Sequence, residues 1–135
     1  MSKPTKEIIE LSRELKGLGY RQEIEMGDWY LYTTKEPFSD GIDECVYLST
    51  YKGILDEEDN ENAVFETETI PIPSLDQGME WLSSEFDDTE LWQNKRNGYW
   101  YFRWDRGNTH NKRFTKAKTR HEAVLQAITK VLEAK

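Results

Sequence analysis

The chain has 135 residues, enough for one domain with a single core and no disulfide or metal to hold it. A third of the residues are charged, yet five Trp, seven Tyr and five Phe supply the apolar area that a disordered chain lacks. No amino-terminal stretch has signal-peptide character, no apolar run approaches the roughly 18 residues that span a bilayer, and Cys45 stands alone, so a cytoplasmic protein without membrane segment, disulfide framework or Cys-rich zinc site is expected.

Ile8, Leu11, Leu15 and Leu18 recur at steps of three and four after Pro4 and Thr5, and Gly17 and Gly19 follow, which predicts a helix over 4–17. The period then falls to two. Segments 20–26 and 29–33, separated by Gly27-Asp28, predict a hairpin, and 45–50 and 63–69 predict two more strands. Between those two, Asp56-Glu57-Glu58-Asp59-Asn60-Glu61 is too crowded with charge for regular pairing. Ser74-Leu75-Asp76-Gln77 is a capping box that opens a second helix with the stripe Leu75, Met79, Leu82 and Phe86, slightly weakened by Gly78. Strands at 91–96 and 99–104 flank Asn97-Gly98, a strong two-residue turn signal, and Arg106-Gly107-Asn108 leads to a third strand near 109–115. Thr119-Arg120-His121-Glu122 is another capping box, opening a helix over 119–134 with Val124, Ala127, Ile128, Val131 and Leu132 on its apolar face.

Laid on itself with an offset of 71, the chain matches without gaps at Leu11/Leu82, Ser12/Ser83, Glu14/Glu85, Gln22/Gln93, Gly27/Gly98, Trp29/Trp100 and Tyr30/Tyr101. The expected fold is a single α+β domain over 1–135: two α-β-β-β units, 4–70 and 74–115, share one largely antiparallel sheet on which three amphipathic helices pack, the last over 119–134.

The net charge of −8 hides a division, because 1–93 carries 7 Lys/Arg against 23 Asp/Glu while 94–135 carries 11 against 3. Asymmetry of that size points to pairing of the two surfaces within the fold or to a partner that reads one of them. With a two-residue turn at Asn97-Gly98, Trp92 opposes Arg103 and Leu91 opposes Trp104. One face then holds Leu91, Trp100, Phe102 and Trp104 and belongs to the core. The other holds Trp92, Arg96, Tyr99, Tyr101 and Arg103, planar and basic together, which is what single-stranded nucleic acid stacks on; Lys112, Arg113, Lys116, Lys118 and Arg120 follow to meet phosphates. The alternative covers this face with a helix and pairs its bases with the acidic 40–68 region.

The acids admit a second function, imitation of a phosphate array toward a DNA- or RNA-binding enzyme, through the 40–68 surface. Asp56, Asp59 and Glu61 are oxygen donors, but their loop lacks the Gly that an EF-hand needs at its sixth position. Catalysis has little to rest on. His110 and His121 read as surface histidines without a neighbouring nucleophile motif, Cys45 as a small buried apolar residue whose neighbours Asp43 and Glu44 have the wrong charge to activate it, and no metal or cofactor site is evident.

The amphipathic helix from 74, Gly-Tyr-Trp-Tyr-Phe at 98–102, and Thr119, Ala123, Val124 and Ala127 opening the last helix give 74–134 a resemblance to the phage ABA-sandwich domain. Leu125-Gln126 stand where that family is expected to have Cys-Arg, and the first 70 residues lie outside the resemblance. It implies a sheet between helical layers and a phage or mobile-element origin, with no assigned activity. The expected function is that of a non-catalytic accessory or interaction protein without cofactor, whose partner is single-stranded nucleic acid or a protein.

Overall fold

Thr5 starts the first helix: its hydroxyl accepts the Ile8 amide at 3.3 Å, and α1 runs over Lys6–Gly17. The computed structural model describes residues 3–35, 42–49, 66–105 and 113–135. α1 ends in a Schellman motif in which the Tyr20 amide donates to the Leu15 carbonyl at 2.9 Å and the Gly19 amide to Lys16 at 3.1 Å. Gly19 sits at φ +94, where a side chain would be strained.

Strands β1 (Trp29–Lys35), β2 (Ile42–Leu48) and β3 (Glu66–Ile72) form an antiparallel sheet in the order β2-β1-β3. The expected strand at 20–26 does not form, because both edges of β1 are occupied: Trp29 lies opposite Leu48 on one side and Ile72 on the other. Its turn is stitched to the end of β2 instead, with Gly27 donating to the Ser49 carbonyl and Ser49 to that of Asp28, both at 2.8 Å. Pro71 lacks an amide and is accommodated because β3 is an edge strand.

The second helix, α2 (Leu75–Glu85), opens on the expected capping box: Gln77 donates its amide to Ser74 Oγ at 3.1 Å, and Gln77 Oε1 accepts the Ser74 amide at 2.8 Å. Strands β4 (Asp88–Gln93), β5 (Trp100–Asp105) and β6 (Arg113–Ala117) make a second antiparallel sheet in chain order, and α3 (Arg120–Glu133) closes the chain behind its Thr119 cap.

The α+β class is as expected, and its helix boundaries agree closely. The single shared sheet is not what the described residues form: among them there are two separate sheets. The chain order α-β-β-β occurs twice, and Trp29 and Trp100 each open the central strand of their sheet and pack against the core. The units differ in their third strand. In the first sheet the flank opposite β2 is filled by the last strand, β3; in the second the flank opposite β6 is filled by the first strand, β4.

The core lies where the helices meet the inner faces of both sheets. Ile8 and Leu15 of α1, Leu31, Ile70 and Ile72 of the first sheet, Leu82 of α2, and Phe102 and Trp104 of the second form one cluster with α3. α3 packs on β4, β5 and β6 and also on α1 and α2, so Leu125 is as buried as the predicted stripe. Gly78 is more than a weak point in α2. A Cβ there would come within 2.8 Å of Val124 Cγ1, so its bareness sets how closely α2 approaches α3.

His121 is not a surface histidine. It is half-buried, and its Nε2 lies 2.7 Å from the carbonyl of fully buried Pro73. Burial lowers its pKa below the ordinary value, outweighing that hydrogen bond and the nearby Glu122, both of which act the other way. Cys45, expected in the core, is exposed on edge strand β2 opposite Tyr32, because the opposite alternation places Val46 against the core. Among the described residues no helix is long and apolar enough to cross a membrane.

Candidate nucleic-acid interface

The second hairpin does not close on a two-residue turn. Asn94 pairs with Tyr99, its amide donating to the Tyr99 carbonyl at 2.9 Å, while the Gly98 amide donates to Asn94 at 2.8 Å. The loop is therefore 95–98, with Gly98 at φ +76 supplying the left-handed residue. Two side-chain bonds brace it: Asn94 Oδ1 accepts the Arg96 amide and Asn97 Oδ1 the Tyr99 amide, both at 2.9 Å. The register slips by two from the expected one, so Trp92 opposes Tyr101, Leu91 opposes Phe102 and Glu90 opposes Arg103. A slip of two keeps every side chain that remains on the strands on its expected face, whereas a slip of one would have exchanged them.

The inner face carries Leu91, Trp100, Phe102, Trp104, Thr115 and Ala117 and packs against α3. On the outward face Trp92 and Tyr101 are half-buried and stacked, ring centroids 5.4 Å apart and planes 12° from parallel. Tyr101 continues to Phe114 of β6, centroids 6.3 Å apart, and Phe114 is 55% exposed. Asn97 Nδ2 donates to the Tyr101 hydroxyl at 3.1 Å and ties the central ring to the loop. Three rings thus cross three strands, on the face opposite the one that packs against α3.

The cations divide into two groups. Arg103 is committed within the fold: Nη1 donates to Asp88 Oδ2 at 3.2 Å and Nη2 to Glu90 Oε2 at 3.0 Å, which raises the guanidinium pKa chiefly through the Glu90 bond and then the Asp88 bond. The β4 edge is accordingly acidic, with Asp88 and Glu90 more than half exposed. The β6 edge is basic. Lys116 lies opposite Tyr101 with Nζ 4.4 Å from the centroid of the half-buried Tyr99 ring, and exposed Lys118 and Arg120 follow it.

Of the predicted site residues, Trp92, Tyr99, Tyr101 and Arg103 come together on this face. Arg96 is exposed in the loop at its end rather than on a strand. Arg113 is on the other side: it opposes Trp104 and lines, with Trp104, Phe114 and Lys130, a cavity of about 350 Å³ beside α3. Lys112 lies outside the described residues, as do His110 and the acidic segment 56–61. Phe114 was missed. The alternation that buries Thr115 and Ala117 just before α3 carries the signal that turns Phe114 and Lys116 outward.

A larger concavity, about 490 Å³, lies between segment 20–28 and α2 and is lined by Glu23, Glu25, Glu80 and Trp81 among others. Four of its lining residues form a polar chain: the Tyr20 hydroxyl donates to Gln22 Oε1 at 2.8 Å, Gln22 Nε2 to Gln77 Oε1 at 3.0 Å, and Gln77 Nε2 to Asp28 Oδ1 at 2.9 Å. Burial, with the Asp28 charge adding to it, pushes the Tyr20 phenol up to about 12, so it serves as a neutral donor. Among the described residues no group of three or more His, Cys, Asp or Glu is placed to hold a metal ion. Compared with known proteins, the chain matches no family model, no curated protein and no solved structure.

Proposed function

We propose that this protein is a non-catalytic, cytoplasmic accessory module of phage or mobile-element type that binds single-stranded nucleic acid on the outward face of β4-β5-β6. The observation that carries this function is the half-buried Trp92–Tyr101 stack on the outward face, extended by exposed Phe114. Bases stack on such rings irrespective of sequence, each contributing about 1–3 kcal/mol, and a duplex cannot offer its base faces in this way.

The charge arrangement supports one course for the strand. Asp88 and Glu90 repel phosphates from the β4 edge, while Lys116 and Lys118 attract them to the β6 edge. Arg103 acts as a positioning residue that holds the two acids, rather than as a phosphate ligand.

Fluorescence anisotropy of a labelled single-stranded oligonucleotide tests this with Trp92→Ala and Phe114→Ala. Each is expected to weaken binding roughly tenfold or more while circular dichroism stays unchanged. Undiminished binding by both folded variants would remove the face from the function.

A further inference from the structure

The two edges of the outward face of β4-β5-β6 carry opposite charge. Acids Asp88 and Glu90 mark one edge, the ring stripe Trp92-Tyr101-Phe114 crosses the middle, and Lys116 lies on the other edge. We infer that two copies of the chain associate face to face through this sheet, about a two-fold axis in the interface parallel to the strands. Rotation about that axis carries β4 of one copy over β6 of the other, so each acidic edge meets a basic edge, while the residues of central β5, Tyr101 and the acid-paired Arg103, each meet their own copies at the axis. Trp92 of one copy then comes to the level of Lys116 of the other, a ring facing an ammonium, with Glu90 one step along the strand. The other in-plane axis, across the strands, would place acid on acid and base on base, which selects the first.

Strands of six, six and five residues offer a small face, so the association is weak and sensitive to concentration and salt. This association goes beyond the proposed nucleic-acid binding and uses the same rings. A bound strand and a second copy therefore exclude one another.

Sedimentation velocity of the full chain over roughly two decades of concentration tests it. The wild-type mass is expected to rise from monomer toward dimer, and to rise less at high salt. Glu90→Lys places like charges at both edge contacts of the dimer, and so does Lys116→Glu, so each folded variant alone is expected to stay monomeric. Mixed together they restore opposite charges at both contacts and recover the dimer. A wild-type chain that stays monomeric throughout overturns the inference, as does a mixture that fails to recover association lost in the single variants. Phe114→Ala, which leaves the charges in place, is expected to reduce association as well. Oligonucleotide binding by a strictly monomeric wild-type protein would reject the dimer and leave the proposed function standing.

Discussion

Gln77 Nε2 donates to Asp28 Oδ1 at 2.9 Å, joining the first turn of α2 to the turn that precedes β1. Gln77 Oε1 meanwhile accepts from the Ser74 amide and from Gln22, so one side chain both caps a helix and fixes a segment that has no strand ladder. Gln77→Ala is expected to destabilise the protein by about 1–2 kcal/mol in urea unfolding. Gln77→Glu keeps the cap acceptor but places a carboxylate against Asp28, and adding Asp28→Asn should recover stability relative to Gln77→Glu alone.

Gly78→Ala sets two effects against each other. Helix propensity favours Ala by about 1 kcal/mol, but the new methyl meets buried Val124 Cγ1 at 2.8 Å with Ile128 and Leu125 close behind. Overpacking of a closed core outweighs the propensity, so a net loss of about 1–2 kcal/mol is expected in thermal or urea unfolding. Val124→Ala in the same chain should turn the Gly78 substitution toward neutrality.

His121 gives stability a pH dependence of known sign. Its folded pKa lies below its unfolded value near 6.5, so the unfolded chain binds the proton more readily and His121 lowers stability as pH falls from about 6.5 through the folded pKa. His121→Gln should flatten the unfolding free energy across that window relative to wild type. Equal slopes for the two proteins would remove His121 as the cause.

Arg103→Ala frees Asp88 and Glu90 beside the ring stripe and should weaken nucleic-acid binding by repulsion. If Arg103 acts by holding the acids, Asp88→Asn with Glu90→Gln restores affinity in the Arg103→Ala background. Direct contact between Arg103 and phosphate predicts no restoration.

The helices were legible in the sequence because their caps are local: Thr5, Ser74 and Thr119 bond within their own first turns. The hairpin faces were legible because strand parity survived an error in the turn, where Gly98 alone takes the left-handed conformation and Asn94 closes a longer loop. Partnering of strands was not legible. Segment 20–26 alternates like a strand, but β3, from 40 residues further on, takes the edge that it would have used. Likewise the burial of His121 depends on the Pro73 carbonyl 48 residues away, and the pairing of Arg103 depends on a register that the turn signal misplaced by two.

Tryptophan fluorescence titrated with a mixed-sequence single-stranded oligonucleotide at low and high salt tests the central claim most directly. The Trp92–Tyr101 platform predicts saturable quenching that weakens with salt and is largely lost in Trp92→Phe. Fluorescence unchanged at low salt and saturating oligonucleotide would contradict it.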